Sequence, residues 1–150
     1  MVVLWDRERR SLWLDTLLEI WERSVRSTHK FLQEADILAL RPAVQQALLE
    51  VPQFAVYLQE DEPIGFVGAD GEKVEMLFLD VPAQGKGCGR GLMEYAMANW
   101  HCIHVDVNEQ NEQALGFYQH MGFVVKQRSA LDDQGNPFPI LHLELGSKLS

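Results

Sequence analysis

The sequence has only two cysteines, few basic residues and no long apolar run. Cys88 and Cys102 form no C-x-x-C pair and predict no disulfide framework, so a reducing cytoplasm is the expected location. No apolar stretch approaches the roughly 18–20 residues that cross a bilayer. At the N-terminus the charged residues follow the apolar ones, which is the reverse of a secretory signal. We therefore expect a cytoplasmic protein with no membrane partner.

Basic residues are scarce relative to acidic ones. The 150 residues include 13 Lys and Arg against 22 Asp and Glu, which gives a net charge of −9. Nonspecific binding of nucleic acid depends on Lys and Arg that displace counterions, so this balance argues against a nucleic-acid partner. It favours a cationic small substrate instead.

The chain has no repeats and no low-complexity linkers, and its length and 47% hydrophobic content suffice for one core. Apolar spacing predicts one mixed α/β domain over residues 1–150, with the element order β-α-α-β-β-β-α-β-α-β-β. Pro42 is expected to start a new turn within the second helical stretch. The predicted helices lie at about 12–25, 35–50, 92–100 and 111–121, and the predicted strands at about 2–5, 54–59, 64–69, 74–81, 103–107, 123–127 and 140–145.

The most informative segment runs from Leu77 to Met93. An apolar strand leads into four glycines within seven residues and then directly into a helix. Amides at a helix N-terminus lack internal partners and attract a phosphate, and Lys86 and Arg90 add positive charge there. Spacing excludes two common phosphate loops, because neither G-x-G-x-x-G nor G-x-x-x-x-G-K-[ST] fits. A flexible turn between strand and helix is the alternative to a phosphate site.

Two motifs resemble signatures of the GNAT N-acetyltransferase superfamily. The segment Gln84-x-x-Gly87-x-Gly89 is similar to the [RQ]-x-x-G-x-[GA] pattern that binds the pyrophosphate of coenzyme A in that family. A second motif is similar to the family's pattern of a strand ending in Asn, then N-x-x-A, F-Y and G-F. Its residues are Asn108, Asn111, Ala114, Phe117, Tyr118, Gly122 and Phe123.

Two further runs, at 108–114 and 28–32, resemble the small single-domain bacterial members of this family. The chain departs from the family pattern in two places. Its lead-in proline, Pro82, stands one position late, and Gln84 replaces the commoner Arg. Because Gln carries no charge, pyrophosphate affinity is expected to depend more on Lys86, Arg90 and the loop amides.

The resemblance implies a single GNAT domain over residues 1–150. Its fold is a mixed, mostly antiparallel sheet of about seven strands with helices on both faces. The fourth and fifth strands, at about 74–81 and 103–107, form a parallel pair that splays apart. The exposed backbone of that pair is expected to bind the pantetheine arm as an added strand.

The resemblance also implies transfer of an acetyl group from acetyl-CoA to a primary amine, by direct attack in a ternary complex. The Leu79 N–H is the candidate donor to the thioester carbonyl, where it would stabilise the oxyanion. Tyr118 is the candidate acid for the departing thiolate, with a simple core role as the alternative. The implied coenzyme-binding residues are Leu79, Val81, Gln84, Gly85, Lys86, Gly87, Cys88, Gly89, Arg90 and Asn111.

The candidate base is Glu75, which precedes Leu79 on the same strand. A relay through water from His104 and Asp106 is the alternative. His29, after the first helix, is the candidate acceptor-site residue. Cys88 has no adjacent His or Asp pair to activate it, so a packing role for its thiol is favoured over a nucleophilic one.

The acceptor is expected to be a small-molecule amine or a protein amino group, and the protein a monomer or a homodimer. No metal is expected. A non-catalytic acyl-CoA-binding or regulatory module on the same fold is the alternative to an enzyme. Tyr118 and the strand carboxylate favour the enzyme.

Overall fold

The computed structural model describes residues 1–146 and divides into two compact units, Met1–Cys102 and a second that begins at Ile103. The first unit contains strands β1 (Val2–Leu4), β2 (Gln53–Gln59), β3 (Glu62–Asp70) and β4 (Lys73–Leu79), helices α1 (Arg7–Leu12), α2 (Leu14–Thr28), α3 (Glu34–Glu50) and α4 (Cys88–Trp100), and a 3-10 turn (Val81–Ala83). The second contains strands β5 (His104–Asn108), β6 (Phe123–Ser129) and β7 (Ile140–Leu145) and helix α5 (Glu112–His120).

The four strands of the first unit pair antiparallel in the order β1-β2-β3-β4. Strands β2 and β3 are joined at Glu60 and Asp61, whose φ angles of 52° and 65° are left-handed. Such a two-residue turn matches the twist of a hairpin. The hairpin predicted between residues 54–59 and 64–69 is therefore confirmed.

Helices cover both faces of this first sheet. On one face, Phe54, Val56 and Phe66 join the apolar stripe of α2 in a fully buried core, and Phe78 packs against it. On the other face, a Cβ at Gly65 would meet the side chain of Leu92 in α4 at 3.4 Å. The same Cβ would lie 2.6 Å from the Leu79 side chain, so glycine at this position leaves room for that side chain on the face that α4 covers.

The second unit is a three-stranded antiparallel sheet in the order β5-β7-β6. Strand alternation divides it into an apolar and a polar face. The apolar face is buried, and Tyr118 of α5 is buried as well. The buried strand residues are Val105, Val107, Phe123, Leu141 and Leu143.

Helix α1 and the path of the chain at Pro42 differ from expectation. Asp6 caps α1 through a bond from the Arg9 N–H at 2.8 Å, but the sequence of α1 is mostly charged and lacks apolar periodicity. Pro42 lies inside the continuous helix α3 and does not start a new turn. Leu38, whose carbonyl loses its helical donor, is exposed like Pro42, so water can replace that bond.

None of the helices in residues 1–146 is long and apolar enough to cross a membrane.

Candidate active site

The end of β4 directs its backbone groups away from β3. Gly65 and Leu79 lie opposite each other, and the bond from Asp80 N–H to the Ile64 carbonyl at 2.8 Å flanks them. In an antiparallel ladder this makes Gly65 and Leu79 a non-hydrogen-bonded pair, so the Leu79 N–H points to the opposite side of β4. Leu77, two residues earlier, has the same orientation. The Leu79 N–H, at the end of the strand, can bond an extended ligand laid along that side.

Two side-chain contacts tie the segment after β4 to helix α2. Arg23 donates to both carboxylate oxygens of Asp80 at 2.9 and 2.8 Å, and the same carboxylate accepts from the Val81 N–H at 2.9 Å. The Arg23 hydrogen bond holds the pKa of Asp80 below its usual value. The Gln84 amide donates to Ser27 Oγ at 3.2 Å and to the Leu79 carbonyl at 3.3 Å. These contacts position the glycine loop relative to the end of β4.

The glycine loop presents backbone amides without helical acceptors. Gly85 and Gly87 have φ angles of 76° and 83°, and Gly87 caps α4 without any side-chain bond. The first helical bond runs from Gly91 N–H to the Gly87 carbonyl, so the amides of 88–90 precede the helical ladder. A Cβ at Gly85 or Gly87 would meet no atom within 4 Å. The loop is therefore open in front of the helix N-terminus, where an anion is favoured.

The side chains of this loop differ in exposure. Lys86 and Arg90 are exposed, and Arg90 also lies 3.4 Å from Glu94 one turn later. Cys88 is buried on the inner side of α4 together with Gly89. The two cations thus face solvent beside the amides, whereas the Cys88 thiol packs inward.

Tyr118 and Asn111 lie in the second unit. Asn111 caps α5, accepting from the Ala114 N–H at 3.1 Å, which confirms its capping role. The Tyr118 ring packs edge-on against Phe117 and Phe123, and burial raises its pKa. No group in residues 1–146 hydrogen-bonds its hydroxyl. The phenol therefore keeps its proton at neutral pH and can donate it.

Glu75 occupies a β-bulge. Ala69 pairs with Val74 and Gly68 pairs with Met76, so Glu75 is the extra residue between them. Regular alternation, which places Glu75 on the same strand face as Leu79, is interrupted at this point. Its side chain is exposed. The role of Glu75 as a base stays a prediction.

His29 follows α2 and is half-buried. Its Nδ1 lies 2.8 Å from Thr28 Oγ1, and its ring centroid lies 5.4 Å from that of Phe31. Burial lowers the pKa of His29 to about 4, so the imidazole is neutral near pH 7. A substrate role for His29 stays a prediction.

Arg23, Ser27 and Asp80 are positioning residues that sequence reasoning missed. Arg23 and Asp80 stand 57 positions apart in the sequence, as do Ser27 and Gln84. No motif links them, because their contacts depend on how α2 packs against β4.

Comparison with known protein families identifies the family of this chain. A family model described as an acetyltransferase (GNAT) domain matches residues 28–139. The chain belongs to the GNAT family of acetyltransferases. The predicted family and enzyme class are confirmed, and the non-catalytic module is not favoured.

Individual GNAT proteins resemble the chain over most of its length. The peptidyl-lysine N-acetyltransferase YjaB of Salmonella typhimurium is 43% identical over 129 residues, covering 86% of this chain and 89% of that protein. The solution structure of apo-form YjaB from Escherichia coli aligns with a TM-score of 0.85 at 38% identity, covering 97% and 96% of the two chains. The predicted α/β fold of about seven strands is confirmed.

A solved structure at lower sequence identity shares the fold alone. It is the PaiA N-acetyltransferase of Thermoplasma acidophilum in complex with coenzyme A, with a TM-score of 0.71 at 18% identity and coverage of 97% and 98%. Within residues 1–146, no group of three or more His, Cys, Asp or Glu side chains is placed to hold a metal ion.

Proposed function

We propose that this GNAT enzyme transfers the acetyl group of acetyl-CoA to the side-chain amine of lysine in a protein or peptide. The observation that carries the proposal is the open amide loop at the α4 N-terminus, next to a strand end whose N–H groups point away from β3. A pyrophosphate and an extended amide-containing arm require these two features together. YjaB, 43% identical to this chain, is a peptidyl-lysine N-acetyltransferase, which supports lysine as the acceptor.

The first unit provides the groups that hold the donor. The amides of Cys88, Gly89 and Arg90 bind the pyrophosphate, and Lys86 adds a charge-assisted contact. The outward backbone groups of β4 bond the pantetheine arm. The Leu79 N–H donates to the thioester oxygen, where negative charge develops as the amine attacks.

The chemical step needs one proton donor and one proton acceptor. The neutral amine adds to the thioester carbon, and the tetrahedral intermediate then breaks the C–S bond. The departing thiolate takes a proton from the Tyr118 hydroxyl, which the raised pKa keeps protonated until that point. Because lysine arrives as an ammonium ion, its nitrogen loses two protons in the reaction. The first leaves before attack and goes to a base, for which Glu75 is one candidate. The second leaves the nitrogen of the tetrahedral intermediate and restores the Tyr118 hydroxyl.

Lysine suits the charge of the protein. Its ammonium group has a pKa near 10.4, so it arrives as a cation, which a protein of net charge −9 attracts.

We propose a cytoplasmic location, since both cysteines are free and buried. Contacts of Val81, Gln84, Gly85 and Asn111 with the coenzyme, a single domain over 1–150, and a monomer or homodimer are further parts of the proposal.

Calorimetry followed by a peptide assay tests the proposal. Acetyl-CoA should bind with one site per chain. Thiol release should then require a peptide with a blocked N-terminus and a single lysine, and mass spectrometry should find acetyl on that lysine. The same peptide with arginine in place of lysine is the control. Absence of binding would refute the donor, and acetylation of small amines with none of any lysine peptide would refute the acceptor class.

A further inference from the structure

The glycine loop holds a lysine that is exposed together with both of its neighbours. Gly85, Lys86 and Gly87 all face solvent, and the two glycines have φ angles of 76° and 83°. A Cβ at either glycine would meet no atom within 4 Å, so the space beside both neighbours of Lys86 is open. No carboxylate in residues 1–146 pairs with Lys86, whereas Arg90 lies 3.4 Å from Glu94. The loop therefore presents an accessible ammonium group on a short segment with small neighbours.

The other lysines of residues 1–146 are less accessible to a second protein. Lys73 begins β4 and Lys126 lies within β6, so the backbone of each belongs to a sheet. Lys30 is exposed, but both of its neighbours are half-buried. A lysine enters the active site of another protein only if its backbone can approach that site. Among the described lysines, Lys86 alone lies in a loop between two exposed residues.

We propose that Lys86 is acetylated by a second copy of this enzyme, and that the acetyl group weakens coenzyme binding in the copy that carries it. The inference rests on the proposed function, because it uses the same transfer to the side chain of a lysine. The segment that is modified is residues 85–87 of a chain whose loop holds no coenzyme. The modification limits the activity of the enzyme.

The acetyl donor has to be bound to another copy. We place the pyrophosphate at the α4 N-terminus and the thioester at the Leu79 N–H, with the extended pantetheine arm between them. The acetyl group of a bound donor is therefore held at the far end of the arm from Lys86 of the same chain. Bound coenzyme also occupies the loop and contacts the Lys86 ammonium. Modification thus requires one loaded copy and one empty copy.

The transfer balances in atoms and charge. The Lys86 ammonium group loses a proton, and its neutral nitrogen attacks the thioester carbon of the donor held by the other copy. A C–N bond forms and the C–S bond breaks. The nitrogen loses a second proton as the departing thiolate gains one. The products are the free thiol of coenzyme A, one proton in solution and an uncharged amide on Lys86.

Acetylation removes the loop cation that no carboxylate of residues 1–146 pairs. An acetylated lysine has no charge and makes no charge-assisted hydrogen bond to a phosphate. The contacts that remain are the backbone amides and Arg90, which also faces Glu94. Because Lys86 is exposed, water screens part of its charge. We expect the Kd for acetyl-CoA to rise about 10-fold in the acetylated chain.

The dependence on acetyl-CoA concentration tests the proposal. The enzyme is incubated with acetyl-CoA at concentrations that span its Kd, and mass spectrometry measures the initial rate of acetylation at each lysine. Because the reaction needs one loaded and one empty copy, the rate at Lys86 follows the product of the loaded and empty fractions. It should be greatest when half of the copies are loaded and should fall at saturation. A rate that rises steadily up to saturation would overturn the proposal, since spontaneous acetylation behaves in that way.

Two arginine variants identify the residue that matters. Chains that have gained one acetyl group have lost one positive charge, so ion exchange separates them for calorimetry. Acetylated wild type and acetylated Lys30→Arg should bind acetyl-CoA about 10-fold more weakly than before incubation. Lys86→Arg keeps the charge and lacks the amine, so its Kd should be the same before and after incubation. Lys86→Gln should show the weaker Kd without incubation.

The outcomes separate this inference from the proposed function. A wild type that acetylates the lysine peptide but gains no acetyl group on Lys86 would overturn this inference alone. The same conclusion follows if Lys86 is acetylated and the Kd is unchanged. A wild type that acetylates no lysine peptide would overturn the proposed function, and this inference with it.

Discussion

A substitution at Gly87 has separate effects on the stability of the fold and on the affinity for coenzyme A, and each can be measured. Its φ of 83° is left-handed, and a Cβ there would meet no atom within 4 Å. In Gly87→Ala the left-handed conformation costs about 1–2 kcal/mol. Alanine also lowers the conformational entropy of the unfolded chain, which raises the free energy of unfolding by about 0.4–1 kcal/mol. The net loss is about 1 kcal/mol, which lowers Tm by about 2–4 °C in a chain of this size.

The effect on coenzyme binding should be larger than the effect on folding. The new methyl group occupies open space beside the amides of the α4 N-terminus, where we place the pyrophosphate. Loss of one charge-assisted hydrogen bond there costs about 1.5–3 kcal/mol, which weakens the Kd for coenzyme A about 10- to 150-fold. Isothermal titration calorimetry measures this change, and urea unfolding measures the stability.

Gly71→Ala is the matched control. Gly71 has a φ of 60° and lies in the turn between β3 and β4, and a Cβ there would also meet no atom within 4 Å. The variant should lose the same stability as Gly87→Ala while its Kd stays within two-fold of wild type. Equal coenzyme affinities for the two variants would refute the assignment of the loop to the pyrophosphate.

Three further predictions follow from Tyr118, Arg23 and His29. Tyr118→Phe should lower kcat at least ten-fold while the Kd for coenzyme A barely changes, and unaltered turnover would remove Tyr118 from the mechanism. Arg23→Ala should lower the free energy of unfolding by about 0.5–1 kcal/mol at pH 7. The pKa of Asp80 is lowered in the folded state, so the ion pair stabilises the protein above the unfolded-state pKa of Asp near 3.9, and this stabilisation should fade as the pH falls. If urea titrations find the same difference in unfolding free energy between Arg23→Ala and wild type down to pH 3, the prediction is wrong. His29 has a folded pKa of about 4, below its ordinary value near 6.5, so the unfolded state takes up the proton first and stability should fall from about pH 6.5 to about pH 4. Urea titrations of His29→Gln should show a shallower fall than wild type, and parallel curves would exclude this source of acid sensitivity.

Local signals in the sequence predicted much of the fold. The apolar stripe of α2, the hairpin formed by β2 and β3 and the capping of α5 by Asn111 were confirmed because each depends on neighbours within a few residues. Local signals failed to predict the structure where the helical pattern is weak or where the surrounding helix tolerates an unfavourable residue. Helix α1 has a capping Asp6 but no apolar period, and Pro42 is accommodated on the exposed side of α3.

In the candidate site, too, local features could be predicted from the sequence, whereas contacts between distant residues could not. Its glycine loop was evident from the sequence, because positive φ angles and unpaired amides at a helix start are local properties. The outward direction of the Leu79 N–H, the bulge at Glu75 and the Arg23–Asp80 pair depend on strand register and helix packing. No spacing of residues in the sequence encodes these contacts.

The sequence alone predicted the family, the glycine loop and the alternation that points Asp106 and its neighbours Val105 and Val107 to opposite faces of β5. Only the tertiary structure placed His142 opposite Asp106 and within reach of Ser129. The physical reason is that side-chain direction along a strand follows from its period of two, whereas the partner across the ladder depends on register. A shift of one residue would turn His142 toward the apolar face and break its contact with Asp106.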